Sequence, residues 1–148
     1  MSVSSGVFPC WELDFKVDVS SNSTPSWKTI ADCETVEFAF DNGVEEWTPF
    51  ESEGWVRRLM TAKSVTITVT GKRNIGDAGN DFICGLSFVN GQDAEHGFKV
   101  VFADGDEVTF DNAVFNVTSN GGGDATNVAP LEFEVMSNGK PSITLASH

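Results

Sequence analysis

The sequence predicts a mainly β protein, a β-sandwich or small barrel of about seven strands with one flanking α-helix. Three observations carry this. Runs of apolar and polar residues with period two recur along the chain; clusters of Ser, Asn, Gly, Asp and Pro separate them; one segment alone carries an apolar stripe at helical period. The 148 residues read as a single domain, 1–148, with no internal repeat and with enough length to bury a core.

The first strand runs from Cys10, with Trp11, Leu13, Phe15, Val17 and Val19 set against Glu12, Asp14, Lys16 and Asp18. Strict alternation marks a half-buried strand and puts Trp11 in the core. After the turn chemistry of SSNSTPS, residues 27–31 and 34–40 read as a second strand broken near Asp32, with Trp27 also on an apolar face. In the latter part Glu34, Val36, Phe38 and Phe40 share one side, and Thr35, Glu37 and Ala39 the other. In residues 64–70 Val65, Ile67 and Val69 oppose Thr66, Thr68 and Thr70.

Residues 74–90 are the one helical segment. Asp77 is its N-cap; Phe82, Ile83, Leu86 and Val89 form one stripe, and Asn90-Gly91 offers a left-handed stop. A hairpin follows, 98–102 with 107–118 around residues 103–106, and residues 119–127 form a Gly-rich connection. Residues 131–136 alternate again, and a turn over 137–141 leads to a last short strand at 142–145.

Between residues 40 and 56 the pattern breaks. DNGVEEWTPFESEGW holds Asp41, Glu45, Glu46, Glu51 and Glu53 with no basic residue, and also Trp47, Phe50 and Trp55. A loop of this length within a compact domain is usually either functional or disordered. Its three large aromatics suit docking on another protein, a second copy of the chain included. Residues 41–55 therefore read as an extended acidic arm, with those eight residues as an oligomerisation element.

The totals set further bounds. Nine basic against 22 acidic residues give a net charge of −13, which argues against a surface that wraps nucleic acid. Cys10, Cys33 and Cys84 have no CxxC spacing and stand in apolar neighbourhoods, as small buried hydrophobes do. The N-terminal residues lack the basic and apolar regions of a signal peptide, and no stretch is long and apolar enough for a membrane span. The chain is expected to stay in the cytosol, so the sequons Asn22-Ser23-Thr24 and Asn116-Val117-Thr118 carry no glycan.

Reactive chemistry finds little footing. His96 and His148 have no partners for catalysis or metal binding. Asp77-Ala78-Gly79-Asn80-Asp81 and Asp104-Gly105-Asp106-Glu107 do not meet the calcium-loop spacing and are better read as a helix cap and a hairpin turn. Gly121-Gly122-Gly123 lacks the GK[ST] ending of a phosphate loop, and no GxSxG elbow occurs. No cofactor and no enzymatic activity are expected. Paired carboxylates of a glycoside hydrolase stay open, with nothing favouring them. A carbohydrate- or ligand-binding β-sandwich using Trp47 and Trp55 is the alternative to a self-assembling protein, although the arm's charges suit a protein surface better than a sugar.

The order of elements resembles one family. A strand pair leads to the acidic arm ending in Trp55, then KSVTITVT (63–70), Gly71-Lys72-Arg73, a Gly79-Asn80-Asp81 helix, GGGDATN (121–127) and a closing FEVMSNGKP (133–141). This is similar to the major tail tube proteins of long-tailed bacteriophages and prophage-derived tail particles, from about Trp47 to Thr144. The resemblance implies the tail tube fold, hexameric rings stacked into a hollow virion tail tube around a tape measure protein, and tail initiator and terminator partners. It also implies assembly in the host bacterial cytoplasm and a lumen through which DNA passes without sequence-specific binding. Glu37, Glu132 and Glu134, acidic and on the polar faces of predicted strands, are candidates to line that lumen. A negative wall repels phosphates where basic residues would hold them.

Overall fold

The computed structural model describes residues 5–20 and 24–146. Eight strands and one α-helix follow in the order β1 (Asp14–Asp18), β2 (Trp27–Thr29), β3 (Cys33–Trp47), β4 (Arg57–Lys72), α1 (Ala78–Gly85), β5 (Glu95–Val101), β6 (Glu107–Asn120), β7 (Pro130–Met136) and β8 (Ser142–Thr144). All strands join one antiparallel sheet in the order β2-β1-β5-β6-β7-β4-β3. β7 and β8 both pair with β6, Met136 opposite Val114 and Ser142 opposite Thr109, so they lie end to end along it, separated by the excursion over residues 137–141.

The sheet has to fold over on itself, because its two edge strands, β2 and β3, are consecutive in the chain. Only Ile30, Ala31 and Asp32 separate them, and Asp32 takes φ 61 to make the corner. Both halves then turn their apolar rows to one interior. Val17, Ile67, Val69, Phe98, Phe133 and Val135 are fully buried there, each contributing roughly 1.5–3 kcal/mol relative to exposure. α1 covers this interior with Ile83, and Leu86 follows just beyond its last turn.

The corner depends on close backbone approach. A Cβ on Gly71 would lie 2.1 Å from the Asp32 carbonyl oxygen, and one on Gly79 would lie 2.6 Å from that of Thr29. Asn80, 1 % exposed, ties the same place together. Its Nδ2 donates to the Ala31 carbonyl at 3.1 Å and the Lys72 carbonyl at 3.0 Å. Its Oδ1 accepts from Arg73 Nη1 and from Asn74 N. Asp77 caps the helix as expected, accepting from Asn80 N at 3.0 Å, and also accepts from Ala31 N.

Several expectations are corrected. β1 begins at Asp14, and Cys10–Glu12 form a 3-10 turn that leaves Trp11 78 % exposed and Cys10 exposed as well. Glu12 N and Leu13 N donate to the carbonyls of Pro9 and Cys10, so the backbone there closes a turn instead of a ladder. Trp27 is half-buried, with Lys99 Nζ 4.6 Å from its ring centroid. The helix is shorter than 74–90. Leu86, Ser87 and Val89 donate to carbonyls three residues back, and Ser87 Oγ donates to Cys84 O, so the chain tightens into single turns that keep the apolar stripe without the α-helix. β6 continues to Asn120. Cys33 and Cys84 fit the apolar expectation, half-buried against the core; at Cys33 burial first, then Asp32, Asp77 and Asp14, push the thiol up to about 12. Asn22, Ser23 and His148 lie outside the described residues.

Candidate assembly surface

The largest difference from expectation is the arm. Residues 41–47 are not a loop: β3 continues to Trp47, and β4 starts at Arg57 opposite it, so that 48–56 alone connect the two strands. The pairs Asp41 with Ser64, Glu45 with Leu59, Glu46 with Arg58 and Trp47 with Arg57 make a two-stranded ribbon. β7 pairs with β4 no further than Thr66, so beyond that point the ribbon runs on without a third strand. A bulge between Gly43 and Val44 shifts its register. At roughly 3.3 Å per residue the ribbon carries its tip about 20 Å from Asp41.

The tip is built rather than slack. Phe50–Ser52 form a 3-10 turn, Glu53 and Gly54 take φ 55 and 90, and Trp55 N donates to Ser52 O at 3.0 Å. Ser52 Oγ lies 2.9 Å from Pro49 O and 2.7 Å from Trp55 O. Phe50 and Trp55 are 105 % and 78 % exposed. The opposite strand supplies cations that the acidic run itself lacks. Arg58 Nε meets Glu46 Oε2 at 2.5 Å, and the Arg57 guanidinium stands 5.5 Å from the Trp47 ring centroid. Asp41, Glu45, Glu51 and Glu53 remain exposed along the ribbon and tip.

Glu37, Glu132 and Glu134 come together on the side of the sheet away from the core. Glu37 is opposite Thr68, Thr68 opposite Glu134, and Glu134 opposite Asn116, one cross-strand row over β3, β4, β7 and β6. Glu132 lies one row along, beside Thr70. Asn116 Nδ2 donates to Glu134 Oε1 at 3.0 Å, and Lys72, further along the same side of β4, is engaged by Glu34 at 3.1 Å. The surface is threonine, amide and carboxylate, able to stay hydrated and to repel an anion.

Elsewhere, His96 packs between aromatic rings, 4.9 Å from Phe82 and 6.2 Å from Phe115, with Nε2 2.8 Å from Asp93 O. Asp104 closes its hairpin by accepting from Asp106 N. Among the described residues no group of three or more His, Cys, Asp or Glu is placed to hold a metal ion, and no helix is long and apolar enough to cross a membrane.

Sequence reasoning missed a groove at the root of the arm, about 590 Å³, between the ribbon and the 137–141 excursion. Phe40, Val65, Pro141 and Ile143 give it apolar walls, and Lys63 and Lys140 also line it. Its signal was Phe40, which extends the apolar row of Val36 and Phe38 past the end of the core and stays 66 % exposed.

A doubled-over antiparallel sheet with one covering helix and a long projecting hairpin is a fold this chain shares with solved tail and tube structures. Solved structures match over nearly the whole chain. One is the tail of an empty gene transfer agent particle, computed with helical refinement and C6 symmetry: TM-score 0.73, 22% identity, 94% of this chain and 100% of the other covered. Another is the sheath-tube complex of an extracellular contractile injection system in its extended state, at TM-score 0.63 and 15% identity, covering 95% and 93%. The anti-feeding prophage cap, a tube-terminating cap, matches at TM-score 0.63 and 13% identity, covering 99% and 95%. No protein-family model and no curated protein sequence matches the chain.

Proposed function

We propose that this chain is a structural, non-enzymatic subunit of a virion or virion-like tail, assembling into hexameric rings that stack as a hollow tube. The carrying observation is the full-length likeness to a chain of a tail solved with C6 symmetry. The likeness to a sheath-tube complex and to a tube-terminating cap supports a polymer that ends on dedicated partners, such as initiator and terminator proteins, and grows around a tape measure. Ring closure would also protect strand edges, which in an isolated sheet invite uncontrolled pairing. The eight arm residues, Asp41 to Trp55, would anchor each subunit on a neighbour through Trp47, Phe50 and Trp55. The Glu37–Thr68–Glu134–Asn116 row, with Glu132 beside it, would line the lumen, where carboxylates keep passing DNA from sticking.

Negative-stain electron microscopy of the concentrated protein, alone and with tail initiator proteins, tests this. Hollow rods with six-fold end views are expected. A protein that stays monomeric under both conditions and binds sugars through Trp47 and Trp55 would overturn the proposal in favour of a binding module. Within rods, Glu37→Lys/Glu134→Lys should make the tube retain DNA in a salt-dependent way. Unchanged retention would move those residues off the lumen.

A further inference from the structure

We propose that the groove at the root of the arm is the receptor for the arm tip of a second copy of this chain. This rests on the polymerising role above and adds the address to which the arm is delivered. Shape is the first argument. The groove is open and apolar, with Phe40 and Ile143 66 % and 64 % exposed, while the tip presents Phe50 and Trp55 with nothing of their own chain to cover them. Contiguous exposed apolar surface of this kind marks an interaction site.

Charge is the second. Of the nine basic side chains, Lys16, Arg58, Lys72, Arg73 and Lys99 face carboxylates within ion-pair distance, and Arg57 stands over Trp47. Lys28, Lys63 and Lys140 have no carboxylate partner among the described residues, and two of these three line the groove. The tip places Glu51 and Glu53 between Phe50 and Trp55, an acidic and aromatic unit that matches an apolar slot with two lysines. In a chain of net charge −13, copies repel one another over most of their surface, so a local cationic slot decides where an acidic tip can land.

Reach is the third. The groove begins at Phe40 and Lys63, the base of the ribbon, and the tip lies about 20 Å away along it. A paired ribbon cannot fold back onto its own root without losing its ladder, so tip and groove meet only between molecules. Donor and receptor are different surfaces, which makes the contact heterologous and able to propagate.

Two chains test the contact, each in a Cys10→Ser background: one carries Phe50→Cys, the other Ile143→Cys. Mixed and oxidised at high concentration, they should give a disulfide-linked heterodimer, which Phe50→Cys mixed with Phe88→Cys should not. A charge swap gives an independent readout. Lys63→Glu/Lys140→Glu and Glu51→Lys/Glu53→Lys should each raise the concentration needed for polymer at least tenfold, and an equal mixture of the two should recover most of it. Tubes that form without the heterodimer above its control, or single swaps that leave polymerisation unchanged, would overturn the groove and leave the tube reading standing. A heterodimer without tubes under any condition would do the reverse.

Discussion

The side-chain amide of Asn80 donates to the carbonyl oxygen of Ala31 at 3.1 Å, joining α1 to the corner between the two edge strands of the sheet. With its bonds to Lys72, Arg73 and Asn74, Asn80 satisfies groups that the fold-over would otherwise strand. Asn80→Ala should leave those carbonyls and the Asn74 amide without partners and cost about 2–3 kcal/mol. Urea unfolding measures it; a loss well under 1 kcal/mol would mean water replaces the side chain.

The glycines of the corner should be as demanding. Gly71→Ala and Gly79→Ala each drive a methyl group against backbone, and each should cost about 1–3 kcal/mol or prevent folding. Gly85→Ala, in α1 with open space around its Cβ, should be neutral or stabilise by up to about 1 kcal/mol. Thermal melts of the three variants give the comparison. Equal effects at all three positions would contradict a steric cause.

Asp18 gives the fold a pH dependence. Burial opposes its ionisation, but hydrogen bonds from the Ser20 hydroxyl and the Ser26 and Ser20 amides outweigh that and hold the carboxyl below its ordinary 3.8. A depressed folded value means the unfolded state binds its proton first as pH falls. The contribution is complete above that ordinary value and lost as pH drops through the folded one. Asp18→Asn should therefore be less stable than wild type at pH 7, with the gap narrowing below 3.8. Denaturant midpoints that stay equally separated down to pH 2.5 would refute this.

Removal of the arm has to respect its pairing. Cutting only the β3 side would leave residues 57–62 unpaired, so the clean deletion replaces residues 43–62 with Asn-Gly between Asn42 and Lys63, which face each other. The product should fold with a melting temperature within a few degrees of wild type, since no buried residue lies in the deleted span. It should form no polymer, by sedimentation and microscopy. Normal tubes from this variant would show that the arm is dispensable.

Much of the fold was legible because burial imposes a period. Phe15 and Val17, Ile67 and Val69, and Leu131, Phe133 and Val135 alternate in sequence as they do in burial. Asp77 was recognisable as a cap by chemistry alone. The arm was illegible as strand for the complementary reason: neither of its faces packs on a core, so nothing forces alternation, and the bulge after Gly43 breaks the count. Trp11 shows the opposite error, an alternation that continues by chance past the point where the chain leaves the sheet. Among the site residues, period alone put Glu37, Glu132 and Glu134 each on the polar face of its own strand, and only the register of β3, β4 and β7 brings those faces to one side. Lys63 and Lys140 were not singled out, because their proximity arises from the departure of the chain after β7, which no local pattern announces.

β4 is one unbroken strand from the base of the tip to the centre of the sheet, where β7 pairs with it from Thr66 to Lys72. Antiparallel hydrogen bonds lie across the strands. A pull on the tip along the ribbon therefore loads these bonds together, in shear, rather than opening them one after another as peeling would. Mechanically the hairpin is a tie rod anchored through the full depth of the body. A pull on the tip therefore reaches the centre of the sheet without unzipping the strands bond by bond.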